Sequence, residues 1–325
     1  MKSEILAALR SADGYVSGQE LCEKFGVSRT AVWKAINQLK QAGYEIEAVQ
    51  NKGYHIVSSP DILRRTELES NRKTTWVGEE IHYFDSTDST NTRAKRLAED
   101  GAVHGTLVVA DEQTGGRGRR GRVWESQKGV SVYMSLVLKQ EIEPNHASML
   151  TLITAMAGAG GIEKTTGLEC KIKWPNDIVI HGKKVCGILT EMSTQMDYIN
   201  YIVIGIGINV QNEAFPEEIG EVATSLRIES GKKQNRAAII EAVWEEFETY
   251  YDIYLKAEDM QGLVGEYNRK LANMNQQVRV LDPKDPYEGT ARGITSKGEL
   301  IVDTWEARKL VSSGEVSVRG LYGYV

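Results

Sequence analysis

Residues 113–124 read Gln113-Thr114-Gly115-Gly116-Arg117-Gly118-Arg119-Arg120-Gly121-Arg122-Val123-Trp124. The glycines let the backbone approach a ligand closely and reach positive φ. The arginines are planar, permanently charged donors suited to carboxylate and phosphate. Between Gln113 and Lys128 there are five cations and one acid, a local charge of +4. The spacing GxxxxGK[ST] is absent, so this is not a Walker A loop. Apolar runs on either side, at 106–111 and 130–138, read as strands, which mounts the loop on a scaffold. An RGG-like nucleic-acid segment competes with this reading, but such segments are longer and disordered. A purely solvated loop would set four arginines within six residues against one another with no anion to hold them.

Moving outward, Lys173-Trp174-Pro175-Asn176-Asp177 ends one strand and turns into another. Pro175 blocks strand continuation, and Asn and Asp are common turn formers, so a plain turn is the simplest reading. The hairpin at Gly182-Lys183-Lys184, followed by Val185-Cys186-Gly187-Ile188-Leu189, adds cations on a paired strand. Lysines and an aspartate beside an arginine-rich loop are what a nucleotide, its Mg²⁺ and a carboxylate substrate require. Gly205-Ile206-Gly207-Ile208-Asn209 resembles the start of a dinucleotide fingerprint, but Val210 breaks it and no helix signal follows. Asp85–Asn91 is rich in small acceptors and reads either as a helix N-cap or as hydroxyls and amides for a neutral polar ligand head.

The surrounding pattern is α+β. Strands are expected at 81–84, 106–111, 130–138, 170–174, 184–192 and 199–208, and helices at 90–100, 144–164, 236–255 and 260–271. From Gln277 onward, short alternating segments with turn signals predict a small β-barrel. Residues 1–57 predict three helices and a hairpin, the order of a winged helix-turn-helix. Ser17-Gly18-Gln19-Glu20 matches a capping box, Ser28 can cap the next helix, and Val32, Ile36 and Leu39 form one buried stripe. Opposite that stripe sit Ser28, Arg29, Thr30, Trp33, Lys34, Asn37 and Lys40, with a charge of +3 over residues 28–42. A recognition helix in the major groove would use Arg29, Thr30, Trp33 and Lys34 on bases or phosphates, with Lys52 at the wing tip. A protein-docking module with a solvated basic face is the competing reading.

The whole chain of 325 residues carries a net charge of −6, so the basic islands stand out from an acidic average. Its 41% hydrophobic and 26% charged content excludes disorder, collagen and a disulfide miniprotein. Three dispersed cysteines and five scattered histidines show no disulfide framework and no metal-ligand spacing. No signal-peptide pattern or membrane span is read, and a cytoplasmic protein is expected.

These motifs together resemble the family of bifunctional biotin–protein ligases and biotin operon repressors. The resemblance rests on Ser89-Thr90-Asn91, Gly116–Gly121 with Trp124, Lys173–Asp177, Lys184–Leu189 and Gly205–Asn209. It implies a winged helix-turn-helix at 1–60, a mixed-sheet catalytic domain at 61–272 and an SH3-like barrel at 273–325. It implies ATP and Mg²⁺ as cofactors, biotin as substrate and biotinyl-5′-AMP as corepressor. Ser89, Thr90, Asn91, Gln113, Arg117, Gly118, Arg119 and Lys184 match biotin-binding positions, and Arg120, Arg122, Lys173, Asn176 and Asn209 nucleotide-binding ones. Arg119, Lys184 and Asp177 are the expected catalytic residues, with Asp177 also expected to hold Mg²⁺. The stretch 211–226 matches, loosely, a loop ordered by the adenylate. The implied partners are biotin carboxyl carrier protein, operator DNA and a second copy of the chain, with no membrane. A repressor that senses biotin without transferring it, and a lipoate-type acyl ligase, are the alternatives.

Overall fold

The computed structural model describes residues 1–325 except 122, 141, 144–145, 196–197, 283–284, 314–316 and 321–323. The chain forms two compact units, Met1–Arg72 and Lys73–Val325.

In the first unit, α1 (Lys2–Ser11), α2 (Gly18–Phe25) and α3 (Arg29–Gln41) are followed by a hairpin of β1 (Glu45–Val49) and β2 (Gly53–Ser58), then by α4 (Arg65–Asn71). Local signals set the helix ends. Ser17 Oγ accepts from the Glu20 amide at 3.0 Å, and Ser28 Oγ from the Ala31 amide at 3.2 Å. Gly26, at φ 64°, closes α2 in the left-handed conformation that glycine adopts without strain. Val32, Ile36 and Leu39 pack with Ile5, Leu6, Leu9 and Leu21 in one core. The hairpin joins it through Ile46, and Gly53 is needed there, since a Cβ would lie 2.1 Å from the Val16 carbonyl oxygen. Helix α4 lies beyond the expected boundary at residue 60 yet belongs to this unit. Its fully buried Glu67 takes Arg10 Nη2 at 2.6 Å and the Tyr44 hydroxyl, neutralising a charge that would otherwise be costly to bury.

The second unit is built on a seven-stranded sheet. In chain order come β3 (Ile81–Phe84), α5 (Thr90–Glu99), β4 (Leu107–Ala110), β5 (Gln113–Arg117), β6 (Val123–Ser126), β7 (Ser131–Leu138) and α6 (Ala147–Thr166). They are followed by β8 (Lys171–Lys173), β9 (Asp177–Ile180), β10 (Lys183–Gln195), β11 (Tyr198–Asn209), α7 (Glu217–Gly220), α8 (Leu226–Ser230), α9 (Arg236–Ala257) and α10 (Val264–Lys270). The sheet order is β3-β4-β7-β11-β10-β9-β8, parallel only between β3 and β4. Strand alternation puts the helices on opposite faces. Val203 packs against Ala94 of α5, whereas Thr190, paired with Ile204, hydrogen-bonds Thr151 of α6 at 2.8 Å. Helix α9 packs on α6 and carries a helically spaced apolar stripe, with Val243, Trp244, Phe247, Tyr250 and Tyr254 buried.

The Gly-Arg segment is more ordered than the loop expected from sequence. It forms its own two-stranded ribbon, β5 against β6, with a short 3-10 turn at Arg119–Gly121. The C-terminal part is a five-stranded antiparallel sheet of β12 (Gln277–Leu281), β13 (Tyr287–Ile294), β14 (Leu300–Asp303), β15 (Arg308–Val311) and β16 (Ser317–Gly320). Its order is β15-β14-β13-β12-β16, and among the described residues its two edge strands do not pair to close a barrel.

Candidate active site and nucleic-acid interface

Two cavities meet beneath the β5–β6 ribbon. The smaller, about 100 Å³, lies against Ser89, Thr90, Gln113 and the glycine-rich faces of β10 and β11. The larger, about 610 Å³, lies against Lys173, Asp177, Phe215, Ile219, Arg319 and Tyr324. Gly118, Arg119, Trp124, Asn176, Lys184 and Asn209 line both, so these side chains stand where the two spaces adjoin.

One wall of the smaller cavity is made of neutral groups that hold one another. Gln113 Oε1 accepts from the Thr90 amide at 2.8 Å and the Thr90 hydroxyl at 3.1 Å, and Gln113 Nε2 donates to Ser126 Oγ at 3.2 Å. Ser89 begins α5 and lies at the same wall. Asn91 lines the cavity, but its amide is committed to the fold. It donates to the Leu189 carbonyl at 3.1 Å and Glu191 Oε2 at 2.8 Å, and accepts from the Ser135 hydroxyl at 2.6 Å. This commitment explains Gly205, where a Cβ would lie 2.1 Å from Asn91 Oδ1. Arg117 and Gly118 face the cavity from the ribbon, with Arg117 exposed.

The junction is charged. Lys184 Nζ lies 2.5 Å from Asp177 Oδ1 and 5.8 Å from the Trp124 ring centroid. Gly187 leaves room for it, since a Cβ there would come within 2.9 Å of that ammonium. Lys173 Nζ stands 3.9 Å from Asp177 Oδ2, and the Tyr324 hydroxyl donates to the same oxygen at 2.6 Å. Burial pushes the Asp177 carboxyl up, but Lys184, Lys173 and the hydrogen bonds from Lys184 and Tyr324 outweigh it and hold it below its ordinary value. Arg119 donates to Asn176 Oδ1 at 3.0 Å and to the Ser313 carbonyl at 2.7 Å, tying the ribbon to the β8–β9 turn and to the C-terminal sheet. Asn176 Nδ2 in turn donates to the Ile188 carbonyl at 3.0 Å.

The segment 211–226 docks beside Lys184. The Lys184 amide donates to Val222 O at 2.7 Å, the Thr224 amide donates to Lys184 O at 2.8 Å, and Asn209 Nδ2 donates to Thr224 O at 3.0 Å.

Sequence reasoning therefore named residues that the fold brings together from β5, β8, β9, β10, β11 and α5. Two nucleotide-binding expectations, Arg122 and the Arg120 side chain, lie outside the described residues. Asp177 is also the expected Mg²⁺ ligand. Both oxygens of Asp177 are engaged by lysines and a tyrosine, and no group of three or more His, Cys, Asp or Glu residues able to hold a metal occurs among the described residues. Sequence reading missed Tyr324, Ser313 and Arg319, whose segment carries no motif linking it to Asp177.

In the first unit, Ser28, Arg29, Thr30, Trp33, Lys34 and Lys52 are exposed and Asn37 is half-buried. Trp33 is 57% exposed, unusual for so large an apolar side chain on a folded domain. Arg29 donates to Gln19 Oε1 at 3.0 Å, and Lys52 Nζ sits 5.7 Å from the Tyr15 ring centroid. A groove of about 430 Å³ runs between Arg29 and the wing residues Ala48–Tyr54.

This is the arrangement of a ligase site joined in one chain to a helix-turn-helix. Residues 83–209 match the biotin/lipoate A/B protein ligase family, residues 2–55 an HTH domain, and residues 274–319 the biotin protein ligase C-terminal domain. The chain is 41% identical over 307 residues to the bifunctional ligase/repressor BirA of Bacillus spizizenii, covering 94% of each chain. It is 28% identical to the protein of that name from Escherichia coli, covering 97% of this chain and 96% of the other. It superposes with a TM-score of 0.66 on the biotin protein ligase of Aquifex aeolicus in complex with biotin and ATP, at 31% identity, over 74% of this chain and 99% of that one. The chain belongs to the family of bifunctional ligase/repressor proteins.

Proposed function

We propose that this protein is an ATP-dependent biotin–protein ligase that also represses the biotin operon, with biotinyl-5′-AMP as corepressor. The observation that carries the reading is the pair of cavities joined at Lys184 and Arg119. A small pocket with a neutral polar wall suits the biotin ring head, a larger cationic one suits ATP, and the junction suits the two reacting anions.

In this reading, Ser89, Thr90, Gln113 and Arg117 hold the ring head, and Asn91 keeps the pocket wall in place. The biotin carboxylate attacks the α-phosphate of ATP, forming the mixed anhydride and releasing pyrophosphate. Carboxylate and phosphate repel each other, and Lys184 and Arg119 offset that repulsion at fixed positions. Lys173, Asn176 and Asn209 face the nucleotide, with Arg120 and Arg122 assigned to it from the family resemblance. Gly118 and the ribbon around it keep water from the anhydride. The acceptor lysine amine of biotin carboxyl carrier protein then attacks the acyl carbon, and AMP leaves. Asp177 orients the two lysines. The residues do not fit a resident Mg²⁺ ion, so Mg²⁺ enters on the ATP phosphates as part of the substrate.

The finer organisation is likewise a proposal: domains at 1–60, 61–272 and 273–325, the last an SH3-like barrel, in a cytoplasmic protein. For repression, Ser28, Arg29, Thr30, Trp33, Lys34, Asn37 and Lys52 meet operator DNA. One copy contacts a half-site, so the DNA-bound form is a homodimer.

Incubation with ATP, biotin and a carrier domain should raise the carrier mass by one biotinyl group. An unmodified carrier, with no biotin-dependent ATP–pyrophosphate exchange, would reject the ligase reading. Operator gel shifts should strengthen on adding biotinyl-5′-AMP, and indifference to it would reject corepression.

A further inference from the structure

Tyr324 lies 147 positions from Asp177 in the chain, yet its hydroxyl donates to Asp177 Oδ2 at 2.6 Å. The face of the same ring lies 4.2 Å from Lys173 Nζ, within the range of a cation–π contact. Lys173 Nζ is 3.9 Å from that carboxylate oxygen, so the phenol is the closer of the two partners. Lys184 takes the other oxygen at 2.5 Å. A carboxylate pinned at both oxygens cannot rotate, and the two lysines beside it keep fixed directions. Tyr324 lines the larger cavity and not the smaller one.

We propose that Tyr324 is a positioning residue for adenylation: by its hydroxyl on Asp177 and its ring on Lys173, it fixes Lys173 toward the nucleotide and steadies the carboxylate that holds Lys184 at the junction. The inference rests on the ligase reading for the identity of the step. It assigns the effect to ATP more than to biotin, because Asp177 and Lys173, which Tyr324 touches, line the larger cavity and not the smaller. The hydroxyl and the ring contribute separately, so a phenylalanine retains the ring contribution.

The test uses the full chain, wild type and the variants Tyr324→Ala and Tyr324→Phe, in biotin-dependent ATP–pyrophosphate exchange and in calorimetric binding of ATP and of biotin. In Tyr324→Ala, kcat/KM for ATP should fall about ten- to a hundredfold, the worth of a hydrogen bond to a charged group. The KM for biotin and its calorimetric affinity should stay within about twofold of wild type, which also reports a folded site. Tyr324→Phe should recover part of the loss. Unchanged ATP constants in Tyr324→Ala, or an equal rise in KM for biotin, would overturn the proposal. A wild-type protein that binds ATP but supports no exchange would reject the ligase reading instead. The effect of the two variants on ATP affinity would then still decide whether Tyr324 positions the lysines.

Discussion

The recognition helix α3 and the lysine–arginine site of the second unit both carry concentrated positive charge on an acidic chain, but they hold it differently. On α3, Arg29 and Lys34 are exposed, and Arg29 donates to a neutral glutamine. At the site, Lys173 and Lys184 are 9% and 24% exposed, and both lie against a buried carboxylate. Arg119 is tied to Asn176 and Ser313, far off in sequence. A duplex is a long polyanion with its own counterions, and cations that displace those ions need exposure more than rigidity. A single carboxylate reacting with a single phosphate needs cations already aimed, in a place from which water is kept out. The cost is that such cations must be neutralised while the site is empty, and Asp177 supplies that neutralisation.

Removing the aimed charge tests this contrast most strongly. Lys184→Ala should lower ATP–pyrophosphate exchange by about 10²–10³-fold, as loss of one preorganised charge-stabilising donor does. Operator binding without ligand should not change. A loss below tenfold would mean that the ribbon arginines alone suffice.

Removing the countercharge should act next. Asp177→Asn leaves a buried lysine, Lys173, and a half-buried one, Lys184, uncompensated and should destabilise the second unit by about 2–3 kcal/mol at pH 7 in denaturant unfolding. The sign with pH follows from the lowered carboxyl. The wild-type contribution is fully present above the unfolded-state value and is lost as pH falls through the lower folded-state value. The gap between wild type and Asp177→Asn should therefore narrow in acid. A gap that stays constant with pH would show that Asp177 matters for packing rather than charge.

The smallest effects belong to α3. Arg29→Ala should weaken operator binding by about 1–3 kcal/mol if Arg29 reads a base, and should leave exchange untouched. Lys34→Ala should lower the salt slope of binding by about one, as loss of one phosphate contact does. An unchanged slope would remove Lys34 from the DNA contacts.

The same contrast explains what could be read in advance. The first unit was legible because its signals are local. Ser17 caps an amide three residues on, Ser28 does the same, and the Val32–Ile36–Leu39 stripe repeats within one helix. The exception is α4, held by Arg10 and Tyr44 through Glu67, a contact with no periodic trace. In the second unit, the strands and the α9 stripe were legible from alternation and helical spacing. The ribbon was read as a loop because glycine and arginine carry weak strand propensity, and its pairing of Gly116 with Trp124 is imposed by the scaffold. Asn91 looked like a ligand group from its neighbours Ser89 and Thr90. Only packing shows that both its amide hydrogens go to Leu189 and Glu191 and that its oxygen accepts from Ser135.

By itself, the sequence determined the kinds of element, the positions of the basic islands, and the residues that could meet an anion, because propensity, capping and side-chain chemistry act over a few neighbouring residues. The tertiary structure decided which of those residues meet. It joined two cavities at Lys184, paired Asp177 with two lysines, and brought Tyr324 across 147 positions to hold it. Those pairings depend on chain closure over long separations, and no local pattern encodes a partner that distant.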